Sequence, residues 1–158
     1  MKTKILAAIL LVFVIMGSLI SCDLLWGDVA ESGDVTVVVE QADGSYDVYY
    51  AYLEQVENKN EGAKGIIEHM NQRSEKTLSL TMVDSTYGAY VSAIGGIAEN
   101  GAEAMYVIVY TSVASDSYDG APTVDYNGTT MYQAGVGLSG MSVEAGTVIL
   151  FRIEKSPY

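Results

Sequence analysis

Cys22 is the only cysteine in the chain, and it stands directly behind an apolar N-terminal run. Lys2 and Lys4 open the sequence, Ile5 through Met16 carries no charge, and Gly17-Ser18-Leu19-Ile20-Ser21 leads into the cysteine. A basic start, an apolar stretch of about 7–15 residues and a small-residue boundary describe a secretory signal peptide. The run is shorter than the roughly 20 apolar residues that a spanning helix needs. With one cysteine, no intramolecular disulfide holds the fold, whatever the compartment allows.

Leu19-Ile20-Ser21-Cys22 resembles the lipobox of bacterial lipoproteins. That resemblance implies cleavage before Cys22 and acylation of the cysteine with fatty acids of the palmitate kind. Each buried methylene contributes about 0.8 kcal/mol, so one chain holds weakly and several hold firmly. Asp23, directly after the cysteine, resembles an inner-membrane retention signal of enteric bacteria. The expected organisation is a signal peptide over 1–21, a lipidated tether over 22–34 and a domain over 35–158. In the tether, Leu24-Leu25-Trp26 suits the headgroup zone, where Trp is favoured. The expected place of the chain is the bacterial cell envelope, lipid-anchored and extracytoplasmic.

Two of the 8 basic residues, Lys2 and Lys4, lie in the leader, whereas all 20 acids follow it. Phosphate binding is carried by Lys and Arg, so nucleic acid is not expected as a partner. Anionic lipid repels such a domain, which leaves the anchor rather than the charge to hold it at a membrane. The charge itself serves solubility.

After the leader the pattern is β-rich with one clear helix. Val35 to Glu40 is short and β-branched, Ala42-Asp43-Gly44-Ser45 offers a turn, and Tyr46 to Leu53 reads as the hairpin partner. Asn60 offers a helix cap, after which Ala63, Ile66, Ile67 and Met70 form the apolar stripe of a helix packed on a sheet. Gly65 weakens that helix by up to about 1 kcal/mol. Thr77 to Val83 alternates as a half-buried strand does. Tyr87 to Ile94, Ala104 to Tyr110 and Val148 to Ile153 are further strands. Thr111 to Asp125 is a long polar stretch, and Tyr126-Asn127-Gly128-Thr129 is a hairpin-type turn. One helix among several strands points to an α+β fold, β-grasp-like, with a mixed sheet.

Thr86-Tyr87-Gly88-Ala89-Tyr90-Val91-Ser92-Ala93-Ile94-Gly95-Gly96-Ile97 resembles the G-x-Y-V-x-S-I-x-G segment of the transcobalamin-like C-terminal domain, DUF4430. Ala104 to Ser112 is similar to that family's next strand, with Met105-Tyr106 where a Trp is common. Tyr126 to Thr129, Ala134 to Leu138 and Val143 to Val148 resemble its closing strands and turn. The likeness spans about residues 35–153. It implies a β-grasp-like fold and, by analogy with animal cobalamin carriers, a face for a corrinoid such as cobalamin. No counterpart of the α/α-barrel domain that completes the carrier site is expected from this sequence.

A large planar ligand needs aromatic faces and close backbone approach. Tyr87, Tyr90, Tyr110 and Tyr118 supply rings with polar tips; Gly88 and Gly95 allow backbone approach. These six are the expected ligand-binding residues, with Ser112 to Pro122 as the ligand-facing loop. A strand tyrosine is equally an ordinary half-buried sheet residue. His69, the single histidine, falls off the apolar stripe, and no Cys/His cluster remains for zinc. Asp116, Asp119 and Asp125 lack the spacing of an EF-hand loop.

No nucleophile and base are recognisable together, so catalysis is not expected. Gly135-Val136-Gly137-Leu138-Ser139-Gly140 has GxGxxG spacing without the βαβ setting of a dinucleotide site. Two function classes fit. One is a membrane-anchored binding protein for a soluble small ligand, cobalamin or another corrinoid, working with an uptake transporter. The other is a non-catalytic envelope interaction or adhesion module for a protein or glycan.

Overall fold

The computed structural model describes residues 32–73 and 78–155. The signal peptide, Cys22 and the first part of the expected tether lie outside the described residues. The last tether residues are already fastened to the fold. Asp34 accepts a hydrogen bond from the Leu53 N–H at 3.0 Å, and its carbonyl accepts one from Gly146 at 2.7 Å.

Strand β1 (Val35–Glu40) turns through Gly44 into β2 (Tyr46–Ala51). Asp43 fixes that turn, accepting from the Ser45 N–H at 2.9 Å and the Ser45 hydroxyl at 2.6 Å. Helix α1 (Gly62–Arg73) follows and buries Ala63, Ile66, Ile67 and Met70, the expected stripe. Its start differs from expectation. Asn60 lies inside a short 3-10 turn, Lys59–Glu61, and no side chain caps that turn. The Asn58 carbonyl instead accepts the Glu61 N–H at 2.9 Å. Gly65 is there for space: a Cβ on it would collide with the Asn58 carbonyl.

Strand β3 (Thr81–Ser85) begins later than the alternation predicts. Ser79 has φ +44°, a left-handed conformation that interrupts extended backbone. Leu78 is nevertheless fully buried ahead of the strand, while Val83 is exposed. Then come β4 (Gly88–Ile94), a two-residue β5 (Ile97–Ala98) and β6 (Met105–Thr111). The polar stretch after β6 contains β7 (Thr123–Tyr126), joined to β8 (Thr129–Gln133) through Asn127 and Gly128. Both turn residues have positive φ, as a two-residue hairpin requires. The chain closes with β9 (Val148–Lys155).

The strands divide between two sheets within an α+β fold. A six-stranded mixed sheet runs β2-β1-β9-β6-β8-β7, and a three-stranded sheet runs β3-β4-β5. Strands β1 and β9 are parallel; every other pair is antiparallel. Side chains of β1 and β9 therefore serve two cores. Val37, Val39, Ile149 and Phe151 meet α1 and the small sheet, with Ile66, Ile67, Leu78 and Ile94 opposite them. Val38 and Leu150 face the other way and join Tyr110 and Met131 in a second core. Fully burying side chains of this size stabilises by about 1.5–3 kcal/mol each, so the central strands hold both sides together.

Candidate functional site

A groove of about 440 Å³ opens between β4 and β6. Val83, Tyr87, Tyr90 and Val136 stand exposed around it, Tyr87 at 87%. Ala89, Val91, Val107 and Leu138 are buried beneath and form its apolar floor. No charged side chain lines it. An exposed apolar group rimmed by polar tips marks a binding surface more often than a stray surface residue does.

The groove exists because the sheets separate here. On one edge, β4 pairs with β3 along its length, whereas β5 reaches only Ala93 and Ile94 on the other. Strand β8 pairs with β6 only at Tyr110 and Thr111. The segment after β8 then leaves β6 and crosses to the start of β4. There the Gly137 N–H donates to the Tyr87 carbonyl at 2.9 Å. The crossing demands glycine on both sides. A Cβ on Gly137 would lie 2.6 Å from the Tyr87 carbonyl oxygen, and Gly88 has φ +104°. Ser139 adds a hydrogen bond, its hydroxyl accepting from the Ala89 N–H at 3.1 Å. Ser85 fixes the other rim, donating to the Gly88 carbonyl at 2.6 Å and accepting the Tyr87 N–H at 3.2 Å.

Of the six expected ligand residues, the groove gathers Tyr87, Gly88 and Tyr90. Tyr118 stands apart, lining a separate shallow hollow with Asp119 and Tyr132. Its hydroxyl is 3.2 Å from the Gln133 side-chain oxygen, and Gln133 does line the groove. Gly95 sits at the β4–β5 turn against Val39, where φ +57° suits it to the turn. Tyr110 is a correction. It is 1% exposed, and its hydroxyl donates to Glu154 at 2.8 Å inside the second core, so its ring is not a ligand face. Burial above all, and then the Glu154 carboxylate, hold its phenol well above the ordinary tyrosine range.

The expected ligand-facing loop is also pinned more firmly than its polarity suggests. Asp116 is buried and accepts two hydrogen bonds from Ser142, at 2.6 Å from the N–H and 2.9 Å from the hydroxyl. The wall residues Val136 and Gly137, and the floor from β6, were not expected in the site. The one sequence signal for them is the spacing of Gly135, Gly137 and Gly140, which marks close backbone passage.

A larger hollow, about 560 Å³, lies near the β1–β2 turn and includes Glu40, Gln41, Gly96, Asn100 and Arg152. Its cation is committed internally, with Arg152 Nε 3.5 Å from Glu40 and 3.2 Å from Glu154. We place the candidate site in the smaller groove because that one carries exposed rings and lacks competing ion pairs. His69 is half-buried on α1, and burial, followed by Arg73, lowers its pKa. Among the described residues, no group of three or more His, Cys, Asp or Glu is placed to hold a metal ion. Among them too, no helix is long and apolar enough to cross a membrane.

No family model matches the chain, and neither does any curated protein. Solved structures do match in fold. One is a candidate metal binding protein from Ruminococcus gnavus ATCC 29149, with 11% identity and a TM-score of 0.53. The match covers 77% of this chain and 96% of that one. Another is haptocorrin in complex with Cbi, with 14% identity and a TM-score of 0.51. It covers 77% of this chain but 24% of haptocorrin, so this chain spans about a quarter of that protein. The likeness is one of architecture. A transcobalamin-like fold is what the two comparisons have in common with the expectation from sequence.

Proposed function

We propose that this chain is a lipid-anchored, extracytoplasmic binding protein that captures a soluble small ligand in the groove between β4 and β6. Its closer kinship is with the transcobalamin-like C-terminal domains, and a corrinoid is the leading ligand. The observation that carries the reading is the rim: Tyr87 and Tyr90 stand exposed over an apolar floor without charged side chains. Such a seat suits a flat, largely uncharged ligand that stacks on rings. Haptocorrin, similar in fold, was solved with Cbi, a corrinoid, which supports the ligand class. The role is binding rather than catalysis, with the anchor at Cys22 keeping the groove near an uptake transporter.

The test is calorimetric titration of soluble protein, begun at Asp23, with cyanocobalamin and cobinamide. Saturable binding at low micromolar or better, about −8 kcal/mol, weakened by Tyr87→Ala, is expected. Absence of heat and of spectral change up to roughly millimolar ligand removes the corrinoid, since that level leaves only binding weaker than about −4 kcal/mol. An interaction module for a protein or glycan then becomes the leading function.

A further inference from the structure

The floor of the groove contains a strand edge that its neighbours leave partly unpaired. On β6, the direction of each peptide group follows from its partners. The Ser112 N–H donates to the Val148 carbonyl at 3.0 Å, so the even-numbered residues of this run face β9. The odd-numbered ones face the groove side. There, Met105 exchanges both of its backbone hydrogen bonds with Asn100, at 2.9 and 3.0 Å. The Val107 N–H donates to the Glu99 carboxylate at 3.3 Å, and the Val109 carbonyl accepts from the Ala134 N–H at 2.9 Å. Two groups are left over. The Val107 carbonyl and the Val109 N–H flank Ile108 on the groove side, with no partner among the described residues.

We propose that this pair recognises a ligand through a peptide unit in extended conformation. An acceptor and a donor on either side of one strand residue are the half of a parallel bridge that a single incoming residue completes. Its N–H donates to the Val107 carbonyl, and its carbonyl accepts from the Val109 N–H. The surroundings favour that occupant. Backbone polar groups over an apolar floor are costly to leave unpaired, so a ligand that satisfies both gains more than one making apolar contact alone. No charged side chain lines the groove, while the chain as a whole is acidic. A neutral or basic peptide segment complements that field; an anionic one is repelled. Tyr87 and Tyr90 then close over the side chain of the incoming residue. This inference rests on the groove being the binding site, and it adds a second ligand class, a peptide segment, that the same groove reads.

The test uses acetyl-alanyl-valyl-alanine amide and its ester analogue, in which an oxygen replaces the valyl N–H. Both are titrated into nitrogen-15-labelled protein alongside cobinamide. Saturable movement of the Val109 amide resonance by the peptide, with the ester binding about tenfold more weakly, is the expected result. Equal binding of amide and ester overturns backbone recognition and leaves an apolar groove. Cobinamide binding with no response to the peptide up to about 10 mM, a level that leaves only binding weaker than about −2.7 kcal/mol, overturns this inference but keeps the small-ligand function. Silence to both, with the Tyr87 and Tyr90 signals unmoved, overturns both.

Discussion

Tyr46 and Tyr126 meet edge to face, their ring centroids 5.2 Å apart and their planes at 77°. Tyr46 lies on β2 and Tyr126 on β7, the two outermost strands of the six-stranded sheet. Their contact means that the sheet curls until its edges touch. Curling brings Val124 and Tyr126 over Val38, Tyr110, Met131 and Leu150, and so makes the second core. A double-mutant cycle on Tyr46→Ala and Tyr126→Ala is expected to give a coupling of about 0.5–1.5 kcal/mol in urea unfolding. Strict additivity would mean that the rings only share the surface.

Gly65→Ala is expected to destabilise, against its propensity. In an exposed helix the change favours the helix by about 1 kcal/mol. Here the added methyl meets the Asn58 carbonyl, so the 3-10 turn before α1 has to shift. A loss of about 1–3 kcal/mol, typical of overpacking, should appear as a lower urea midpoint with an unchanged slope. A gain in stability would show that the turn gives way freely.

Much of this fold was legible because it repeats. The i, i+3, i+4, i+7 stripe of α1 and the β-branched runs of β1 and β9 announce themselves within a few residues. Strands β5 and β7 were not legible: one has two residues and the other begins inside a polar stretch. Strand β3 starts late because Ser79 adopts a left-handed conformation that its neighbours do not signal. Tyr110 shows the limit for the site. Like Tyr90 it is a strand tyrosine, and the curl of the six-stranded sheet is what buries it in the second core while Tyr90, on the small sheet, rims the groove. The wall at Val136 and Gly137 is non-local as well, since it depends on where β8 leaves β6.

Asp116→Ala should loosen the segment that forms this wall's support. The carboxylate accepts both the Ser142 N–H and its hydroxyl, and the Asp116 carbonyl accepts the Gly135 N–H at 2.8 Å. Removing a buried charged acceptor leaves the Ser142 N–H unpaired, for an expected loss of about 1.5–3 kcal/mol. Hydrogen exchange should quicken at Ser142; unchanged protection there would mean that other partners hold the loop.

Tyr110 links the second core to pH. Burial, and the bond to Glu154, raise its folded pKa above the ordinary value near 10. A raised pKa on a phenol means that the unfolded chain releases the proton first. The contribution of Tyr110 is therefore complete below about pH 10 and is lost as pH rises from there towards the folded value. Burial raises Tyr126 in the same direction, so part of the loss belongs to it. Wild-type stability in urea is expected to fall between about pH 9.5 and 11 more steeply than that of Tyr110→Phe, which has no proton to lose at this position. At pH 7 the variant should be weaker by about 1 kcal/mol, the cost of one hydrogen bond. Identical slopes for the two proteins would place the alkaline loss on Tyr126 instead.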